Sequence, residues 1–498
     1  MFKNMLYMSM AAFFVRFVGA ISSFLLARIL MPSDYGIWVT LMLIMAYAPI
    51  ATLGTVEALI KQFPYFNGRK EFQRAVEVEE VVLSSVILLA SCLLILGFGI
   101  AISFHNHFER SLLPLIFFTI LAASINFLST FYYHRFTAHQ LFDMVGKVDA
   151  LRSVLSISLL LILSKLWGIN GTVIGLLITE LLVCVLSYLA NIKQCGRLSL
   201  RWSPNQFWQV VKIGFPITII WWSFIVQMTI DRIVSSSILG RTMTGYYGFG
   251  LTIASAVVLF PQAISRVIYP KVSEKFGEIS EPSKVFKYII IPSQAFGLVL
   301  PLVIGLIVLA LPYIFINIMP KYREGLTAAQ VLLLGSFFVS FVRNGINFLV
   351  AVERQRLLMK CVVASLILSA ILSLGLVHLG YGIVGLAIAS SCSSALFTSL
   401  IWVSIFHNTG FDLRASIREL FYLYIPFCIS IALLACLICL TPISTIGSVG
   451  VFVSNSMIFF VVYFVLLLVF PITRSWSHDL INACRSYIKP NMPPIPAD

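Results

Sequence analysis

The sequence predicts an all-α polytopic membrane protein of about 14 transmembrane helices, and three observations predict it. Of 498 residues, 59% are hydrophobic and 11% charged, where a soluble domain carries about 25% charged residues. Mean hydropathy is +0.98. Apolar runs of about twenty residues recur from end to end, long enough to cross a bilayer as helices. A transmembrane β-barrel would instead show alternating segments of about ten residues.

The expected spans run 9–30, 36–60, 81–104, 112–133, 146–166, 168–190, 212–238, 246–268, 287–311, 326–350, 357–378, 381–405, 421–441 and 447–471. The first run is interrupted by Arg16 and ends in Arg28, with no small-residue cleavage site after it. It is therefore expected to stay as the first span rather than be removed as a signal peptide. The charge distribution supports this topology. With both termini cytoplasmic, 24 lysines and arginines fall on the inner side and 5 on the outer side. Basic residues accumulate in cytoplasmic loops, and a missed span would swap every later loop. The net charge of +14 is read as this topology signal and not as a nucleic-acid surface. Most of the nine cysteines lie inside apolar runs, where they behave as small hydrophobes. Cys436 and Cys439 form a C-x-x-C pair within a span and are read as packing, not as a metal or redox site.

Between the first two spans lies Ala27-Arg28-Ile29-Leu30-Met31-Pro32-Ser33-Asp34-Tyr35-Gly36, a turn punctuated by Pro32 and Gly36. A weaker copy runs from Ser237 to Tyr246, and aligning Ile29 with Ile238 puts Gly36 on Gly245. Gly168-Ile169-Asn170-Gly171 opens span six as Gly382-Ile383-Val384-Gly385 opens span twelve. The shifts, 209 and 214 residues, nearly agree. Six spans are thus expected twice in the same orientation, a parallel repeat of the kind that places a substrate cavity between lobes. The expected divisions are 1–195 for the N-terminal lobe, 196–410 for the C-terminal lobe, 411–472 for helices thirteen and fourteen, and 473–498 for a cytoplasmic tail.

A charge inside a span costs several kcal/mol unless it is paired or faces water, so each is a functional candidate. Arg16, Arg28, Arg232, Arg266 and Arg343, with Glu57 and Asp34, are the candidates for lining a substrate cavity. Arginine offers a planar, permanently charged fork that suits phosphate and carboxylate. Arg28 and Arg266 lie close enough to interfaces to snorkel. Glu57, Glu180 and Asp231 are candidates for coupling to an ion. In the repeat alignment Glu57 matches Arg266, and such opposite charges could form a gate between lobes. Pro49, Gly54, Pro216, Pro261, Pro292 and Pro301 interrupt spans and are candidate hinges. The sequence holds no G-x-x-x-x-G-K-[ST] loop. No outer loop is long enough for the catalytic groups of a membrane glycosyltransferase, polymerase or ligase. No cofactor or metal is expected.

The turn at 27–36 resembles the Ala-Arg-x-Leu-x-Pro-x-Asp-[Phe/Tyr]-Gly turn of the polysaccharide-biosynthesis flippases, the Wzx-type O-antigen and exopolysaccharide repeat-unit transporters. Met31 stands where that family often has Gly. Gly214-Phe215-Pro216, Asp231-Arg232, Gly245-Tyr246 and Gly168-x-x-Gly171 are similar too. The resemblance covers nearly the whole chain. It implies the multidrug/oligosaccharidyl-lipid/polysaccharide exporter superfamily, a two-lobed V-shaped bundle working by alternating access. It further implies a non-enzymatic role, moving undecaprenyl-diphosphate-linked oligosaccharide across the bacterial inner membrane, with polymerase and chain-length machinery as partners. A cation-coupled drug antiporter of the same superfamily is the alternative, and the basic spans disfavour it. A glycan polymerase or ligase is the more distant alternative.

Overall fold

The computed structural model describes residues 18–103, 109–279, 281–441 and 447–469. Among the described residues every regular element is a helix. In order these are α1 (Val18–Ile29), α2 (Pro32–Tyr47), α3 (Thr55–Gly68), α4 (Phe72–Ser103), α5 (Leu113–Ala138), α6 (Phe142–Cys195), α7 (Pro204–Val234) and α8 (Arg241–Ile279). There follow the single turn α9 (Pro282–Val285), α10 (Lys287–Tyr313), α11 (Leu326–Ala351), α12 (Gln355–His378), α13 (Gly382–Asn408), α14 (Leu413–Leu440) and α15 (Val449–Val469). Eleven helices among the described residues are long and apolar enough to cross a membrane. The number is twelve when Pro204–Ile219 and Trp221–Leu239, bent by 41°, are taken as one span. The chain is a multi-pass membrane protein.

One of the eleven, α6, is 54 residues long, about 81 Å as a straight helix and far more than a bilayer needs. It breaks at Trp167 (φ −130°, ψ 18°) and Gly168 (φ 59°, ψ −137°). A Cβ on Gly171 would sit 1.8 Å from the Leu163 carbonyl oxygen, and one on Gly175 3.0 Å from that of Leu159. A straight helix would hold residues 159 and 175 about 24 Å apart, so the chain doubles back and α6 is two antiparallel arms.

The expected single span 36–60 is divided in the structure. Pro49 lies in a 3-10 turn, Ala48–Thr52, after α2, and Leu53 (φ 51°) and Gly54 (φ 78°) are left-handed before α3 begins. Proline cannot donate to the preceding turn, and glycine accepts the positive φ. The break lets α3 press on α7, where a Cβ on Gly54 would meet the Gly214 carbonyl carbon at 2.2 Å.

Cα proximity divides the chain into two compact units, 1–256 with 366–389, and 257–365 with 390–498. Between helices in lipid there is little hydrophobic driving force, so small residues and interhelical hydrogen bonds set the contacts. In the first unit Val56, Leu59 and Phe63 of α3 pack with Val82 and Val86 of α4 and with Phe127 and Phe131 of α5. Asn191 donates to the Tyr132 carbonyl at 3.2 Å, and Tyr47 shares a 2.6 Å bond with Thr229. In the second unit α11 and α13 run parallel. Ser391 donates to the Val331 carbonyl (3.2 Å), Thr398 to Phe338 (3.0 Å) and Trp402 to Phe341 (3.4 Å), a constant offset of about sixty residues. Gly305 of α10 makes room for the tip of the Phe459 ring of α15, and Ser430 and Tyr463 donate to the Pro301 and Leu298 carbonyls at 3.1 and 2.9 Å.

Candidate functional site

A cavity of about 150 Å³ lies in the first unit where α2, the end of α7 and the start of α8 converge. Its walls follow from helical periodicity. Tyr35, Trp38 and Met42 line it at spacing i, i+3, i+7, and Gly248, Thr252 and Ser255 line it at i, i+4, i+7. Pro32 sits in the first turn of α2, where its missing N–H costs nothing, and Asp34 complements the positive helix end. The two helices are drawn together by glycine. A Cβ on Gly36 would lie 1.9 Å from the Arg241 carbonyl oxygen, and one on Gly245 would lie 1.8 Å from that of Pro32.

Close approach brings Tyr35 to Thr252, hydroxyl to hydroxyl at 2.8 Å. Thr252 spends its own proton on the Gly248 carbonyl at 3.0 Å, so Tyr35 is the donor. The one charged residue in the wall is Arg232. Among the described residues it joins no ion pair, and its buried Nε meets no hydrogen-bond acceptor. The neighbouring Asp231 is buried. Its carboxylate accepts from the Tyr247 hydroxyl and, at 2.8 Å, from the Arg232 backbone N–H. A guanidinium with unspent donors beside the hydroxyl-bearing Tyr35, Thr252 and Ser255 is a receptor for an anion. Trp38 beside it gives an aromatic wall.

The other candidates are placed as follows. Arg16 lies outside the described residues, as does the side chain of Arg266. Arg28 is exposed at the end of α1, and Asp34 is half-buried in the first turn of α2. Glu57 is half-buried in the first turn of α3, and its Oε2 has no hydrogen-bond partner among the described residues. Arg343 is half-buried on α11, beside Asn344, whose side chain accepts from Ser265 at 2.6 Å and donates to Ser293 at 3.0 Å. Glu180, on the second arm of α6, is buried against α5 and the first arm. It accepts from Asn126 at 2.9 Å and pairs with Arg152 at 3.3 Å. Of the five cavity candidates whose side chains are described, Arg232 alone lines this wall. Among the described residues no group of three His, Cys, Asp or Glu side chains could hold a metal.

Tyr35, Trp38 and Thr252 were not singled out by charge, although their helical spacing was available. Also unforeseen is a buried ion pair. Arg135, counted above among the loop charges, is 3% exposed and grips Glu79, 1% exposed, with Nε at 3.0 Å and Nη2 at 3.1 Å. His139 Nε2 meets the same carboxylate at 2.7 Å, and Arg135 also donates to the Cys195 and Gly196 carbonyls.

A protein-family model described as polysaccharide biosynthesis protein matches residues 25–324. An uncharacterized membrane protein of Methanocaldococcus jannaschii, MJ1375, is 25% identical over 185 residues, 37% of this chain and 43% of that relative. The chain thus spans less than half the length of that relative. In structure the chain is similar to the lipid II flippase MurJ in an inward closed conformation, with TM-score 0.72, 16% identity and coverage of 93% of this chain and 98% of that one. It is similar also to an inward-facing multidrug resistance MATE family transporter of the MOP superfamily, with TM-score 0.64, 14% identity and coverage of 79% and 95%. Identities this low establish the fold, which is of the MurJ and MATE type.

Proposed function

The chain belongs to the polysaccharide biosynthesis protein family, and from that premise we propose that it is a flippase for undecaprenyl-diphosphate-linked oligosaccharide in the bacterial cytoplasmic membrane. The headgroup enters a cationic cavity while the lipid tail stays in the bilayer, and rocking of two lobes exposes it on the other side. The protein makes and breaks no bond in its substrate.

The observation that carries this reading is the Arg232 cavity. Its walls come from residues 35–42 and 232–255, one set from each of the two proposed lobes, 1–195 and 196–410. The contact that closes them is reciprocal across the aligned turns. Both features fit a six-helix unit used twice; fourteen spans with both termini cytoplasmic are proposed from the charge distribution of the sequence. Arg232 supplies the anion contact. Arg16, Arg28, Arg266 and Arg343, with Asp34 and Glu57, are proposed as further headgroup contacts, and Glu57, Glu180 and Asp231 as the carboxylates for ion coupling. Glycan polymerase and chain-length proteins are the expected partners.

Deletion of the gene in its host tests this reading. Complete lipid-linked repeat units are expected to accumulate on the inner leaflet while surface glycan is lost. Normal surface glycan with raised sensitivity to cationic drugs would contradict it. That result would favour the antiporter reading, for which the buried carboxylate of Asp231 beside Tyr247 is the supporting feature.

A further inference from the structure

A second cavity, of about 310 Å³, lies at the other end of α7, bounded by α3, the start of α4 and the first turns of α7. That volume falls within the range of small-molecule sites, roughly 300–1,000 Å³. Three side-chain amides line it, Gln62, Gln206 and Gln209, over an apolar wall that includes Phe66 and Val210. Gln62 and Gln206 each hold a buried Oε1 with no hydrogen-bond partner among the described residues. A buried amide left unpaired costs stability, so two at one cavity have no structural explanation in the folded chain alone. Both can turn to a ligand that brings hydrogen-bond donors.

The two charged side chains in this wall, Arg74 and Glu77, are both paired, although Arg74 shares Glu71 with Arg69. Glu77 pairs with Arg201 at 2.8 Å, and Arg74 pairs with Glu71 at 2.7 Å. Both charged side chains of this wall thus have an oppositely charged partner, whereas Arg232 joins no ion pair among the described residues. Amides present a donor and an acceptor side by side, which suits vicinal hydroxyls, and an aromatic face suits the C–H face of a pyranose. From Gln206 to Arg232 the contour of α7 is about 39 Å, at 1.5 Å per residue. One helix thus carries an uncharged, amide-lined cavity at one end and a cationic one at the other.

We propose that the cavity of Gln62, Gln206 and Gln209 binds an uncharged sugar residue of the glycan, separately from the anion held at Arg232. This rests on the flippase reading. The sugar hydroxyls donate to the unpartnered amide oxygens, and Phe66 covers one ring face.

The test uses the full chain in lipid nanodiscs and, as probe, the oligosaccharide released by mild acid from the lipid-linked intermediate that accumulates in the deletion host. Saturation-transfer NMR reads its binding. Gln62→Leu and Gln206→Leu are each expected to weaken binding roughly tenfold, whereas the control Gly19→Ala, which meets nothing within 4 Å, leaves it within twofold. Because each leucine removes an orphaned polar group, the thermal unfolding temperature should stay level or rise, which separates a binding role from a structural one. Unchanged binding in both leucine variants, or no binding by the unaltered protein, would overturn the sugar site while leaving the flippase intact. A deletion host that accumulates no lipid-linked intermediate would overturn the flippase reading, and this inference with it.

Discussion

Gly36 and Gly245 each occupy the surface that the other leaves vacant. A Cβ on Gly36 would lie 1.9 Å from the carbonyl oxygen of Arg241, four residues before Gly245. A Cβ on Gly245 would lie 1.8 Å from that of Pro32, four residues before Gly36. The obstacle is backbone on both sides, so no side chain can swing away to make room. Alanine at either position is expected to push α2 from α8 and to lower stability by about 1–3 kcal/mol, the usual cost of overpacking. The double variant should cost less than the sum, because the first alanine has already opened the gap. Thermal unfolding in detergent measures both, and Gly19→Ala, which meets nothing within 4 Å, is the control.

Opening that contact also moves Tyr35 from Thr252. Tyr35→Phe removes their 2.8 Å hydrogen bond without changing the apolar volume. A loss of about 1 kcal/mol is expected, together with a several-fold slower appearance of surface glycan at equal membrane abundance. Pulse-labelling of the surface polysaccharide measures the rate.

Arg232 is expected to discriminate charge from geometry. Lysine keeps the charge but loses the planar fork, so Arg232→Lys should retain part of the transport and Arg232→Gln almost none. Both proteins should reach the membrane in normal amounts, because Arg232 forms no ion pair among the described residues. Complementation of the deletion host, with immunoblotting of membranes, compares the two.

The pair of Glu79 and Arg135 should behave in the opposite way. Both are almost fully buried, and removing Arg135 leaves the buried Glu79 carboxylate with His139 in place of its bidentate guanidinium. Arg135→Met is expected to cost about 3–5 kcal/mol and to reduce the protein recovered from membranes. Adding Glu79→Leu should restore part of that loss, since that carboxylate goes too. Only part returns, because the Cys195 and Gly196 carbonyls remain without their Arg135 donors. A stability assay on the single and double variants decides this.

These contrasts show what could be read from the chain itself. The apolar runs and the turn at 27–36 were legible because the bilayer imposes length and composition on helices. Gly168 was legible as punctuation, and it marks the point where α6 doubles back. Arg232 stood out because charge is rare in a span. Its neighbours did not, since Tyr35, Trp38 and Thr252 on an apolar helix look like ordinary packing residues. Glu79 and Arg135 were hidden for another reason. They are 56 residues apart and lie near the ends of their apolar runs, where a charge normally meets water. The division of span two also exceeded what pattern alone could give. Pro49 and Gly54 announced an interruption, but the left-handed Leu53 between them has no signature in residue type.

The most direct measurement is translocation in vesicles. Purified protein is reconstituted with the host's lipid-linked oligosaccharide, and the glycan reaching the opposite leaflet is captured by an impermeant lectin or glycosidase. The unaltered protein should move the lipid-linked glycan, and Arg232→Gln should move it at least tenfold more slowly. Equal movement by both proteins would contradict the cationic cavity as the headgroup site. No movement by the unaltered protein, with or without an ion gradient, would contradict the flippase itself.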